Sequence, residues 1–486
     1  MNPNLPQSLF EILSCFALCF TAPSFRNFVV LVSGWVLSTR SHAITALVAA
    51  SPAAPNPPKS LSCYHRFFSR ARWSLEDLSL VLLKLLLPHL PLRVIAIVDD
   101  TLRHSCGPKI WNLDLHHDSR KSFPRHPRKS SALKSRKPGR GKRRSVFTRG
   151  HRWIILSVWL PAPWSNDKRR GFAVPLLFRH YRNQKNCPPA EFKKTTLLAL
   201  ELICKLRELL PKDHQLIVVV DNGYTNQTVS KGLPEGTDLI GPMLTKATLY
   251  DLPPKQWKKR GRKPVKGKRL KSIRQQMNSR NGWKTLQLKL YKRSQTIKCK
   301  RRNVVWHGVA GKRVVRMLLT KDPKGNFENR AYCCTNLKLR TSEILQIIAK
   351  RWSAEVMHRE CKQLLGFEGT FNGWWKGYIG EKECEHSRFK GHTSRGRLAV
   401  ERTAPFALVT RAVVLLWYVK EHRGKRDTKE VLKARLYQAQ KRELSFEDIL
   451  WILRREIVVA RITAEASLKP HAGKIIETIS SLGLVA

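Results

Sequence analysis

The chain has 486 residues, and its 91 lysines and arginines outweigh 35 acids to give a formal net charge of +56. At roughly 100–200 residues per domain, it holds two to four domains with real cores. So large a positive excess goes beyond what solubility needs and calls for a polyanion as partner, nucleic acid first, bound in a salt-sensitive way through its phosphates. The 11 cysteines form no Cys-x-x-Cys pair, which argues against zinc and disulfides and for free thiols in a reducing compartment. The apolar stretch 9–22 contains Glu11 and has no basic region before it, so it reads as a buried helix rather than a signal peptide. The runs 28–37 and 78–90 fall short of the roughly 20 residues a membrane span needs, and no membrane partner is expected.

Residues 1–90 carry apolar positions at helical spacing over 9–20, 28–50 and 75–87, broken by a proline-rich stretch at 51–59. With Arg26, Arg40, Arg66, Arg70 and Arg72, this reads as a helical DNA-binding domain. Val94-Ile95-Ala96-Ile97-Val98 then predicts a buried strand that ends in Asp99-Asp100-Thr101. Strands at 153–160 and 171–182 form a hairpin, and a helix over about 192–210 leads to Leu216-Ile217-Val218-Val219-Val220-Asp221, a second buried strand ending in an acid. That order predicts an α+β, ribonuclease-H-like mixed sheet over 91–422. A β-rich insertion over about 238–340, with strands at 304–309, 312–320 and 330–334, precedes a helix over about 341–365, capped by Thr341 or Ser342. The remainder is helical, with a C-terminal region at 423–486.

Two runs, 120–152 and 255–274, are strongly basic. Composition alone fits either a solvated charged loop or a loop that follows a phosphate backbone. Their place inside a nuclease-like domain favours the second, through Arg143, Arg144, Lys258, Lys259, Arg260, Arg262 and Lys263.

Cutting a phosphodiester needs an attacking oxygen made nucleophilic and a leaving oxygen stabilised, and two divalent ions on hard carboxylate oxygens do both. Asp100 and Asp221, each at the end of an apolar strand, are candidate ligands, with Asp99 on the opposite face of the pleat from Asp100. Glu355 is the third, on a helix face shared with Arg351 and Lys362. A surface salt-bridge stripe would look the same without the two aspartates. His116-His117-Asp118 has metal-ligand types, but adjacent side chains rarely converge on one ion. Trp306, Trp374 and Trp375 could stack bases but read as packing residues.

Arg351-x-x-x-Glu355-x-x-x-x-x-x-Lys362 resembles the Tyr-x-x-Arg-x-x-x-Glu-x-x-x-x-x-x-Lys signature of bacterial insertion-sequence DDE transposases, the branch with a β-strand insertion before the glutamate. Val98-Asp99-Asp100-Thr101 and Val220-Asp221-Asn222-Gly223-Tyr224 resemble the family's first and second aspartate motifs, and the likeness extends through 65–73 and 402–406. It implies that Asp100, chosen over Asp99 because Thr101 follows it, joins Asp221 and Glu355 in binding two Mg2+ ions, with Mn2+ as a substitute. It further implies that Arg351 and Lys362 contact DNA, that the partner is double-stranded DNA at element ends and target, and that a homodimer acts on paired ends in the bacterial cytoplasm, at the nucleoid. The signature's tyrosine position is Ile348 here, which leaves room for a non-catalytic, repurposed DNA-binding protein. The stretch 382–395 looks like an extra basic loop.

Overall fold

The computed structural model describes residues 4–57, 59–105, 110–118, 146–254, 256, 262–290, 293–323, 325, 328–369, 394–421, 424–434 and 443–466. The chain opens with helices α1 (Gln7–Ser14), α2 (Ala22–Leu37), α3 (Ile44–Ala50), α4 (Leu61–Ser69) and α5 (Leu75–Leu86). α1 buries Leu9, Ile12 and Leu13, one face of a helix. Ser74 caps α5 by accepting the Asp77 N–H, and Glu76 and Asp77 lie in the first turn, where the helix dipole favours acids. α2 and α3 approach so closely that a Cβ at Gly34 would stand 2.0 Å from the Leu47 carbonyl oxygen.

Then come β1 (Arg93–His104), β2 (Asp114–His117), β3 (Phe147–Pro161), β4 (Gly171–Tyr181), α6 (Thr195–Leu209), β5 (Gln215–Val220), α7 (Gln227–Gly232) and β6 (Thr237–Pro242). The central order is β4-β3-β1-β5-β6, with β3 antiparallel to both neighbours and β1, β5 and β6 mutually parallel. This is the ribonuclease-H-like mixed sheet, and the fold is α+β. Next follow α8 (Ile273–Asn278), β7 (Lys284–Leu290), β8 (Arg293–Val305), α9 (His307–Ala310), β9 (Val314–Lys321) and β10 (Arg330–Cys334). β10 pairs antiparallel with β6, so β10-β9-β8-β7 prolongs the same sheet to ten strands. The last helices are α10 (Thr341–Lys350), α11 (Trp352–Leu364), α12 (Ser394–Glu421), α13 (Gly424–Ala434) and α14 (Phe446–Ala466).

One apolar cluster runs from Leu5 in the N-terminal helices through the sheet to Ile457 in α14. α12 is long and apolar enough to cross a membrane, yet 94% of its most apolar window is buried inside the protein, as in a core helix. Arg402 on α12 donates to the Phe68 and Ala71 carbonyls at 3.3 and 2.8 Å and lies 4.5 Å over the Trp73 ring. Trp35 on α2 donates to the Leu365 carbonyl at 2.7 Å, beside the end of α11.

The structure departs from the sequence reading in several places; the strand expected at 304–309 is instead the end of β8, which stops at Val305, followed by the helical turn α9. β1 does not end at Asp99: its pairing with β5 stops at Val98, but pairing with β3 carries it on to His104. The helix expected over 341–365 is broken at Arg351, whose N–H bonds the Ile348 carbonyl and whose own carbonyl accepts the Ala354 N–H. Its N-cap is Arg340, with Glu343 accepting the Arg340 N–H at 2.8 Å. β7, which follows the basic run 255–274, was missed because its exposed edge position tolerates lysines.

His180 on β4 packs against Trp153, His151 and Trp111, with ring centroids 5.0, 5.2 and 5.6 Å away, and both its ring nitrogens are buried without a hydrogen-bond partner among the described residues. Burial, with the charges of His151 and His116 adding, holds its pKa well below the usual histidine value, and burial with Arg103 pulls His151 down to about 3. An unfolded chain protonates such histidines near their usual value while the fold keeps them neutral. Their contribution is therefore intact above pH 6.5 and is lost as pH falls toward the folded values. His180→Phe is expected to raise the melting temperature at pH 5 by roughly 2–4 °C more than at pH 8; an equal shift at both would contradict it.

Candidate active site

The site forms where β1 outruns β5. Val98 and Val220 are the last parallel pair, so Asp99 and Asp221 are the next residues on adjacent strands. Strand pleat sends Asp99 and Thr101 to one face and Asp100 to the other. α11 supplies the facing carboxylate: Arg351 Nη2 donates to Glu355 Oε1 at 2.6 Å, and Nη1 lies 3.7 Å from Asp99 Oδ2. Gly366, at φ +55°, then turns the chain after α11 so that the Phe367 carbonyl receives the buried Arg103 guanidinium at 2.7 Å.

The electrostatics show an acid cluster sharing one cation. Asp99 is pushed up to about 7, first by burial and further by Asp100 and Asp221, with Arg351 opposing. Burial lowers the Arg351 pKa, but Asp99, Glu355 and Asp221 outweigh it and hold the guanidinium above its usual value. Asp100 has different company: the Tyr224 hydroxyl donates to its Oδ1 at 3.0 Å, and Arg152 Nε lies 3.6 Å from Oδ2. Burial, then Asp100, raises the Tyr224 pKa, so its hydroxyl stays a donor.

Asp99 is thus the acid paired with Arg351, whereas Asp100, the expected first ligand, meets Tyr224 and Arg152. Among the described residues no group of three or more His, Cys, Asp or Glu side chains is close enough to hold an ion. The guanidinium of Arg351 stands between Asp99 and Glu355 instead, on hard oxygen donors of the kind Mg2+ selects. The donor type therefore suits a divalent ion, while in the ion-free chain Arg351 supplies the positive charge between these two acids.

Lys362 is one-tenth exposed, donates to the Leu102 carbonyl and pairs with Glu368 at 2.7 Å. Arg262 and Lys263 are exposed on the insertion, whereas Lys258, Lys259, Arg260, Arg143, Arg144, Trp374, Trp375 and most of 382–395 fall outside the described residues. Trp306 is a packing residue of the insertion's own core, and Ile348 packs partly buried against the main one. His116 and His117 alternate between buried and exposed, and Asp118 receives His104 Nε2 at 2.9 Å. His104 Nδ1 meets Glu368 Oε1 at 2.9 Å. Sequence reasoning missed Arg152, His104 and Glu368 as neighbours of the candidate residues: Arg152 was hidden at the end of a basic run, and the other two meet only because Gly366 reverses the chain.

A ribonuclease-H-like sheet with two aspartates at the end of its parallel strands and a glutamate-bearing helix over them is the arrangement of polynucleotide-cutting enzymes. The family described as DDE superfamily endonuclease matches residues 15–311, and the chain belongs to it. That match takes in both aspartates and stops before Glu355. No curated protein matches the chain. Among solved structures, the cryo-EM piggyBac transposase synaptic complex with hairpin DNA aligns at 9% identity over 96% of this chain and 76% of that one, with a TM-score of 0.37, too low to bear on the fold or the function.

Tyr224→Phe removes a donor from Asp100 without opening space. Nuclease activity is expected to fall by about 10-fold, with stability changed by about 1 kcal/mol; unchanged activity would detach Tyr224 from the site.

Proposed function

We propose that the chain is a transposase that binds the ends of a mobile DNA element, cleaves a strand at each end and joins the freed 3′-hydroxyl to target DNA. The observation that carries this reading is the pairing of Asp99 and Glu355 with one guanidinium, that of Arg351, at the end of the parallel strands, where Asp221 follows the last paired residue of β5, within a DDE superfamily endonuclease. Asp99, Asp221 and Glu355 would hold Mg2+, or Mn2+ in its place, as two ions. Bound there, divalent ions activate the attacking oxygen and stabilise the leaving one. Water is the nucleophile for cleavage and the 3′-oxygen for transfer, so no side chain need form a covalent intermediate.

Arg351 has two successive roles. It neutralises the acids in the ion-free chain and, once displaced from them, offers a planar fork to a phosphate. Lys362 is held by Glu368 beside the strand end, and exposed Arg262 and Lys263 are free to follow backbone phosphates. Asp100 acts from the other face of β1, fixing Tyr224 and Arg152. The assembly on paired ends is a homodimer, and the setting is the bacterial cytoplasm.

The test is nicking of duplex DNA carrying the element's ends in Mg2+. Asp99→Asn, Asp221→Asn and Glu355→Gln are each expected to lower it by more than ~100-fold while DNA binding persists. Asp100→Asn is expected to have a smaller effect. Full activity in Asp99→Asn with loss in Asp100→Asn would return the ligand to Asp100. Binding without nicking in the wild type would favour a repurposed DNA-binding protein, the reading to which Ile348 at the signature's tyrosine position lends weight.

A further inference from the structure

α11 has a second working face. Arg351 and Glu355 pair beside Asp99, and Lys362 pairs with Glu368, whereas Trp352, Ser353, Val356, Arg359 and Glu360 line a separate pocket. Its other walls come from the β3–β4 hairpin, from Lys289 and Leu290 at the end of β7, and from the segment before α14.

The charges lining this pocket do not cancel. Asp167 takes Arg169 at 2.7 Å and Lys289 at 3.7 Å, Glu443 takes Arg170 at 3.2 Å, and Glu360 takes Arg411 at 2.6 Å. Every acid in the lining is thereby engaged, and Lys350 and Arg359 have no carboxylate partner among the described residues. Lys350 instead rests 3.4 Å from the centre of the Trp159 ring. Burial pulls its ammonium down to about 8, as expected of a cation taken from water without an anion in exchange. At the floor, Arg411 is 1% exposed, and its buried Nε has no hydrogen-bond partner among the described residues. A buried guanidinium with an idle N–H and a half-buried ammonium without a counter-ion are costly unless an anion with several acceptor oxygens joins them.

We propose that this pocket binds a phosphate group, with Lys350 and Arg359 as its principal cations, and that the phosphate belongs to the backbone of the DNA on which the chain acts. A free phosphate is the other source of the same chemistry. The choice of DNA rests on the proposed transposase function: a backbone held on both faces of α11 would fix the helix that carries Glu355. A tetrahedral anion suits the site because it accepts from an ammonium and a guanidinium at once.

The experiment measures duplex DNA binding across a salt series for the wild type, the double variant Lys350→Gln/Arg359→Gln, and Lys350→Arg, which keeps the charge. A thermal-shift series with inorganic phosphate against chloride at equal ionic strength accompanies it, and melting of each variant verifies folding. The slope of log affinity against log salt is expected to lessen by roughly 1 for each phosphate that the double variant no longer neutralises and to hold in Lys350→Arg. Phosphate-specific stabilisation is expected in the wild type and absent in the double variant. Loss of that stabilisation with an unchanged slope would overturn the assignment to DNA in favour of free phosphate, and no change in either would overturn the site. A wild type that fails to bind duplex DNA would sink the transposase function instead, so the two failures are distinguishable.

Discussion

The site depends on one mismatch in strand length. β5 stops at Val220 and β1 continues for six residues past the last parallel pair, supported on its other side by β3. Had both strands ended together, Asp99 would sit in a turn free to rotate. Because β1 stays in the sheet, the pleat fixes which acid faces α11, and burial in that half-paired position raises the Asp99 pKa. Arg351 then sits where charge is needed, between Asp99 and Glu355.

The rest of the molecule holds α11 over that strand end. Arg411 of α12 pairs with Glu360 of α11 and donates to the Ala173 carbonyl of β4, so helix and sheet share one buried guanidinium. Trp35 of α2 grips the carbonyl just past the helix end, and Arg402 of α12 fastens three carbonyls, one in the last turn of α4 and two in the segment after it. The N-terminal helices thus pack into the same apolar core as the sheet. Breaking a buried pair such as Arg411–Glu360 leaves an uncompensated charge, which is why these contacts fix position even if their net stabilisation is small.

Much of this was legible in the sequence, for reasons that particular residues make plain. Ile95–Val98 and Leu216–Val220 could only be buried strands, and their order with the hairpin and the intervening helix fixed the sheet type. The i, i+4 spacing of Arg351 and Glu355 produced a real contact despite the break at Arg351. The flanks of the signature also meet: residues 68–73 lie against Arg402. That Arg351 pairs with Asp99 rather than Asp100 was not legible, because an apolar run does not reveal that a neighbouring strand carries β1 past its end. β7 was hidden by its lysines, and the contacts of Glu368 with Lys362 and with His104 depend on a chain reversal that no local pattern announces.

The most direct measurement is strand nicking of element-end DNA by the wild type in Mg2+ and in EDTA, beside Glu355→Gln. A two-metal transposase site requires nicking that depends on the ion and vanishes in the variant while DNA binding is kept. Nicking that survives EDTA, or that Glu355→Gln retains in full, would contradict it.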